Sequence, residues 1–257
     1  MKFLNKYDGY KGKPKKVEET SYRIEYNDTA FNENYTGKII VFYDSKGRKI
    51  KTMLYKSDNT LSVAGIYYKY DQQGNEIESI MYNLDSTINS KNTYKYNKYG
   101  QQTENILMWG NNIKSITKSN FDRLNRKEEV IGENGDGGFQ EYSVQRYDDK
   151  WNVTELISYD SIGNQETRIE FEYDKNGNKN SSKWFNARNE LNNIYKTTFD
   201  KQNHPIMSFS YRIKGKDTIL ESTEKIEYKY YDNNNIRERK FFSNNKPTYI
   251  LRYKYEY

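Results

Sequence analysis

The chain has no cysteine, a single histidine (His204) and three prolines in 257 residues. Without cysteine there can be no disulfide, thiol nucleophile or cysteine-ligated zinc. A histidine-dependent metal site or nucleophile would have to use His204, which precedes Pro205 as in an exposed turn. Aliphatic residues are also scarce. Leu, Ile, Val and Phe supply only 49 positions, a share at which disorder must be considered. No apolar run approaches the roughly 18 residues of a membrane span. Met1–Tyr10 lacks the apolar stretch of a signal peptide. Neither a Gly-x-x-x-x-Gly-Lys phosphate loop nor a Gly-x-Ser-x-Gly nucleophile elbow occurs.

What is abundant is tyrosine, at 27 positions, and aromatic residues make up 16% of the chain. Disordered chains are poor in aromatics. Apolar burial is therefore expected from tyrosine rings, which have a broad apolar body and a polar tip. The net charge is +6, from 42 basic and 36 acidic residues, and the two signs interleave, as in Lys225-Ile226-Glu227-Tyr228-Lys229. A nucleic-acid binder would gather its cations on one face. The one dense basic run, Lys11, Lys13, Lys15 and Lys16, reads as a solvated terminal segment, so no nucleic-acid partner is expected.

An aromatic residue followed by Asp or Asn recurs along the chain: Tyr43-Asp44, Tyr70-Asp71, Tyr96-Asn97, Phe121-Asp122, Tyr147-Asp148, Tyr173-Asp174, Phe199-Asp200 and Tyr231-Asp232. The steps between the second residues are 27, 26, 25, 26, 26, 26 and 32. Three positions after each Asp or Asn stand Gly47, Gly74, Gly100, Asn125, Trp151, Gly177, Asn203 and Asn235. Gly and Asn are the residues that best tolerate positive φ. The pattern predicts a tight turn opened by a side-chain acceptor and closed in the left-handed region. At Trp151 the following Asn152 is expected to take the strained position.

Weaker turn signals fall halfway along each repeat, most clearly at Tyr159-Asp160-Ser161-Ile162-Gly163-Asn164. Each repeat of about 26 residues is then two strands and two turns. Alternation supports this: Ile169, Phe171 and Tyr173 share one face, while Arg168, Glu170 and Glu172 share the other. Such alternation means antiparallel strands, and no stretch shows a helical period. The predicted fold is all-β, an antiparallel meander of about eight double-strand repeats forming an extended or coiled sheet. Residues 1–38 read as an atypical N-terminal cap with a degenerate copy at Tyr7-Asp8, and residues 39–257 as the array. The 32-residue step implies a longer connection near Lys214-Gly215-Lys216-Asp217, and Tyr249–Tyr255 reads as a final strand.

The Tyr-Asp-x-x-Gly-Asn pattern, clearest at Tyr70–Asn75 and Tyr173–Asn178, resembles the YD repeats of the Rhs family from Tyr43 to Tyr257. That resemblance implies long β-sheets that coil into shells or filaments on exported bacterial proteins, some of which engage carbohydrate. The chain departs from the large members in having about eight units and no obvious C-terminal toxin segment.

The motif carboxylates read as turn openers, because Asn97 replaces Asp freely. Identical turns also do not supply the two unlike environments an acid–base pair needs. Glu133–Gly138 lacks the alternating ligands of a calcium loop and reads as a hairpin tip. No catalytic residue, metal or cofactor is expected. Trp109, Trp151 and Trp184 are the expected binding contacts. The expected function is a non-enzymatic exported bacterial repeat protein, periplasmic, cell-surface or secreted, that presents an aromatic-rich β-surface to a glycan or protein. The alternatives are a glycoside-hydrolase-like enzyme using Glu128, Glu129 or Glu155, or a fragment of a shell or fibre with unpaired edge strands.

Overall fold

The computed structural model describes residues 10–27 and 30–257. Their regular structure is entirely strand. The strands are β1 (Lys16–Asn27), β2 (Ala30–Tyr43), β3 (Lys49–Tyr55), β4 (Gly65–Tyr70), β5 (Glu76–Tyr82) and β6 (Ile88–Tyr96). They continue with β7 (Gln102–Trp109), β8 (Asn112–Asp122), β9 (Lys127–Asn134), β10 (Phe139–Tyr147), β11 (Val153–Tyr159) and β12 (Gln165–Tyr173). The last are β13 (Lys179–Phe185), β14 (Leu191–Phe199), β15 (Pro205–Lys214), β16 (Asp217–Tyr230), β17 (Ile236–Ser243) and β18 (Lys246–Glu256). The chain divides into two compact units. The first holds residues up to Lys114 with Glu227–Phe242 and Pro247–Tyr257; the second holds Ser115–Ile226 and Ser243–Lys246.

The eighteen strands form one sheet in which each pairs with the next along the chain. The expected open or coiled ribbon is corrected at its ends. Val17 of β1 lies opposite Val41 of β2 on one side and Tyr255 of β18 on the other, so the ladder closes on itself. Closure satisfies the N–H and C=O rows that terminal strands of an open sheet would expose. The unpaired edges expected of a shell or fibre fragment are absent at β1 and β18.

The repeat forms because its turn is self-contained. At Asp174 the backbone N–H donates to Asn178 O at 2.9 Å, and the Gly177 N–H donates to Asp174 O at 3.0 Å. Gly177 has φ 84°, a conformation that side chains other than Gly and Asn resist. The Asp174 carboxylate accepts the Asn176 and Asn178 backbone N–H groups at 2.8 and 2.9 Å and the Asn178 amide at 2.9 Å. Those bonds hold its pKa below the usual carboxylate value, the Asn178 side-chain amide contributing most. Asp71, Asp148 and Asp160 repeat the arrangement.

Several local expectations change. Trp151 itself takes the left-handed conformation, with φ 64°; the turn fixes which position must have positive φ, whatever residue stands there. Asn235 is displaced by Asn234 (φ 61°), because the turn opens one residue early, at Tyr231, whose N–H donates to Asn235 O. Asn125 is displaced by Arg126 (φ 51°), since β8 stays paired through Asp122 opposite Lys127. The 32-residue step adds no long loop. Lys214 pairs directly with Asp217, and the extra residues lengthen β16 to 14 residues, where the ladder satisfies their backbone groups. The degenerate copy at Tyr7-Asp8 lies outside the described residues.

Cross-strand register separates two faces. In the first unit, Tyr43, Tyr68, Tyr70, Tyr94 and Tyr96 share one face with Thr52 and Ser79. The repeat tyrosine bonds the carbonyl that opens the preceding strand: Tyr70 Oη to Lys49 O at 2.8 Å, Tyr96 Oη to Glu76 O at 2.7 Å and, in the second unit, Tyr173 Oη to Val153 O at 2.8 Å. Val17, Tyr43, Ile236 and Tyr253 form the buried cluster of the first unit. The other face carries cross-strand ion pairs, Lys69–Glu78 at 2.6 Å and Lys95–Glu104 at 2.7 Å.

Candidate binding site

In the second unit a cavity of about 710 Å³ opens beside β9, β10, β11 and β12. Register builds it. Ser143 of β10 lies opposite Val130 of β9 and Ser158 of β11, and Gln145 lies opposite Leu156. Period-two alternation puts these five side chains on one face. Val130 is buried, and with Leu156 it gives the cavity an apolar floor between two hydroxyls and an amide.

The hollow has a sequence cause. Two and four residues before the repeat aromatic, β12 carries Phe171 and Ile169, and β4 carries Tyr68 and Ile66. At the same positions β10 carries Gln145 and Ser143. Polar side chains stand in β10 where β4 and β12 place apolar bulk, so space is left over the sheet. The difference is visible in the sequence when β10 is set beside β4 and β12.

Three carboxylates, Glu141, Asp160 and Glu166, also line the cavity, and no lysine or arginine does. Asp160 is committed to its turn, accepting the Ile162 and Asn164 N–H groups at 3.0 and 2.8 Å. Glu141 lies opposite Gly132, and a Cβ at Gly132 would stand 2.5 Å from Glu141 Cγ. Glycine therefore leaves room for the Glu141 stem at the cavity wall. Tyr142 and Tyr159 also line the cavity. They face each other across β10 and β11 with ring centroids 5.2 Å apart.

The acids considered for hydrolysis do not form a pair flanking a cleft. Glu128 is 8% exposed and accepts a hydrogen bond from Tyr147 Oη. Burial first, and then that bond, push the Tyr147 pKa up. Glu129, adjacent in the strand, points to the opposite face and pairs with Lys127 at 2.6 Å. Glu155 pairs with Arg146 at 2.9 Å and Arg168 at 3.5 Å. None of the three lines the cavity.

The three tryptophans are not brought together. Trp109, 56% exposed, ends β7 in the first unit with Lys114 Nζ 4.8 Å from its ring centroid. Trp184, near the end of β13, is 40% exposed and meets Tyr195 edge-on at 5.8 Å. Trp151 lies in the β10–β11 turn, at the other end of the strands from Trp184, with its ring between Tyr147 at 5.6 Å and Arg123 at 4.9 Å. At the tip of the β9–β10 hairpin, Asp136 accepts the Gly138 N–H at 3.0 Å. Lys16 of the basic run opens β1 and pairs with Glu256 of β18 at 3.2 Å. Among the described residues no helix is long and apolar enough to cross a membrane.

No protein-family model and no curated protein matches the chain. Among solved structures, a porin-like protein from Bacteroides vulgatus ATCC 8482 is similar at 10% identity and TM-score 0.41, over 95% of this chain and 98% of that one. A porin-like protein from Bacteroides uniformis ATCC 8492 is similar at 9% identity and TM-score 0.33, over 95% of this chain and 96% of that one. A chain of the TcdB2-TccC3-Cdc42 structure is similar at 10% identity and TM-score 0.29, over 91% of this chain but only 14% of its own length. At such identities and TM-scores these likenesses carry no functional conclusion.

Proposed function

We propose that the chain is a non-enzymatic binding module that takes a carbohydrate in the cavity of the second unit. One observation carries the reading. Ser143, Gln145 and Ser158 are gathered on one face over Val130 and Leu156, where the corresponding positions of β4 and β12 carry apolar side chains. Hydroxyls and an amide can both donate and accept, and Glu141 and Glu166 add acceptors. An apolar floor with a few convergent polar groups suits a ring that has an apolar face and hydroxyls at its edge. The exposed ring of Trp184, in the same unit, is proposed as an outlying contact. The Tyr-Asp turns, with their YD-repeat resemblance, favour an exported bacterial array.

The test is a glycan array followed by titration of each hit, beside an assay for glycosidic cleavage. Ser143→Ile with Gln145→Phe imports the side chains of Ile169 and Phe171 and fills the cavity. Binding of the hit should fall at least about tenfold, with no loss of thermal stability. An array with no hit, or binding indifferent to the filled cavity, would overturn the proposal. So would glycan cleavage that disappears with Glu141→Gln or Glu166→Gln, which would make the chain an enzyme.

A further inference from the structure

On the ion-pair face of the sheet, several cations stand directly opposite carboxylates. Lys69 faces Glu78, Lys95 faces Glu104 and Arg146 faces Glu155, and each of these is an ion pair. Lys16 likewise faces and pairs with Glu256. At two places in the first unit a tyrosine stands opposite the cation instead. Lys38 of β2 faces Tyr55 of β3, and Lys51 of β3 faces Tyr67 of β4. Lys38 Nζ lies 4.8 Å from the Tyr55 ring centroid, and Lys51 Nζ lies 5.2 Å from that of Tyr67. Among the described residues neither ammonium has a carboxylate partner.

The surroundings fit these pairs closely. A Cβ at Gly65 would stand 3.3 Å from Lys51 Cε and 3.4 Å from Tyr67 Cε2, so the glycine makes room for the stacked pair. Tyr67 is 41% exposed and meets Tyr82 edge-on at 5.8 Å. Between the two pairs lies Met53, opposite Ile40. Four residues of β3 separate Lys51 from Tyr55, so the two cationic positions are about 13 Å apart. By contrast, Arg168 stacks on Phe185 in the second unit at 3.9 Å but is also bound by Glu155 and Glu170.

We infer that this β2–β4 strip is a second binding site, which takes an acidic polysaccharide. Carboxylate groups of the polymer replace the missing Glu partners of Lys38 and Lys51, while sugar faces cover Tyr55, Met53 and Tyr67. Charge complementarity selects the occupant: the strip offers cations without anions, and aromatic hydroxyls beside them. Two cations are too few for a nucleic acid, whose binding draws on many neutralised phosphates.

The test is titration with a galacturonate hexamer, a neutral maltohexaose and a thymidine oligonucleotide. The uronate should bind, weaken as salt rises, and lose at least about tenfold in affinity with Lys38→Gln/Lys51→Gln. Lys95→Gln, which alters an ordinary ion pair, should leave uronate affinity unchanged. The glutamines keep most of the aliphatic stem, and an unchanged melting temperature will show that the sheet is intact. The inference is overturned if the uronate fails to bind, if the double variant binds it as well as the parent, or if the neutral sugar or the oligonucleotide binds the strip equally. A cavity filled at Ser143 and Gln145 should not affect this site.

Discussion

At Asp71 the carboxylate accepts the Asn75 backbone N–H and the Asn75 side-chain amide, both at 2.8 Å. The same bonds recur at Asp148 and Asp174, and Asn97 substitutes through its amide oxygen. That is why the motif acid was legible as a turn residue rather than a catalytic one. Asp71→Ala should cost about 1–2 kcal/mol by urea denaturation, with Asp71→Asn milder; equal losses would mean that the amide oxygen does not replace the carboxylate. At Trp151, position in the turn outweighs residue preference. Its left-handed backbone costs about 1–2 kcal/mol, set against its contacts with Tyr147 and Arg123. Trp151→Gly should therefore unfold within about 1 kcal/mol of the parent, whereas a β-branched Trp151→Val should be clearly less stable. A stability order with valine above glycine would contradict the φ assignment.

At the level of strands, a turn, a short strand and a second turn were readable from spacing, because each hairpin closes through its own residues. What spacing could not show was where added residues would go. The 32-residue step became a longer β16 with a two-residue turn, since paired backbone is satisfied more cheaply than looped backbone. The repeat tyrosines join neighbouring strands through their phenols, a role that periodicity alone did not reveal. Burial, followed by the charge of Glu76, pushes the Tyr96 pKa up to about 12. A phenol raised above its unfolded value supports the fold fully below the unfolded pKa and loses that contribution as pH rises through the folded one. Stability should thus decline from about pH 10 to pH 12, followed by phenolate absorbance and far-UV dichroism. Tyr96→Phe should lessen the decline, while losing about 1 kcal/mol at neutral pH with the Glu76 bond. A decline unchanged in the phenylalanine variant would remove Tyr96 from this account.

For the whole molecule, closure gives a direct expectation. In hydrogen exchange, the amides of β1 that pair with β2 and β18 should be protected to the same degree as those of β12. Rapid exchange along either side of β1 would show an open edge and refute the closed ladder. The sequence by itself determined the all-antiparallel architecture, the pace of the hairpins and the turn-opening task of the motif Asp residues, because those depend on contacts a few residues apart. Only the tertiary structure decided that the first strand meets the last, that Ser143, Gln145 and Ser158 surround one hollow, and that Lys38 and Lys51 face rings instead of carboxylates. Those facts rest on register between strands, which is set by the summed pairing of the whole ladder rather than by any local run of residues.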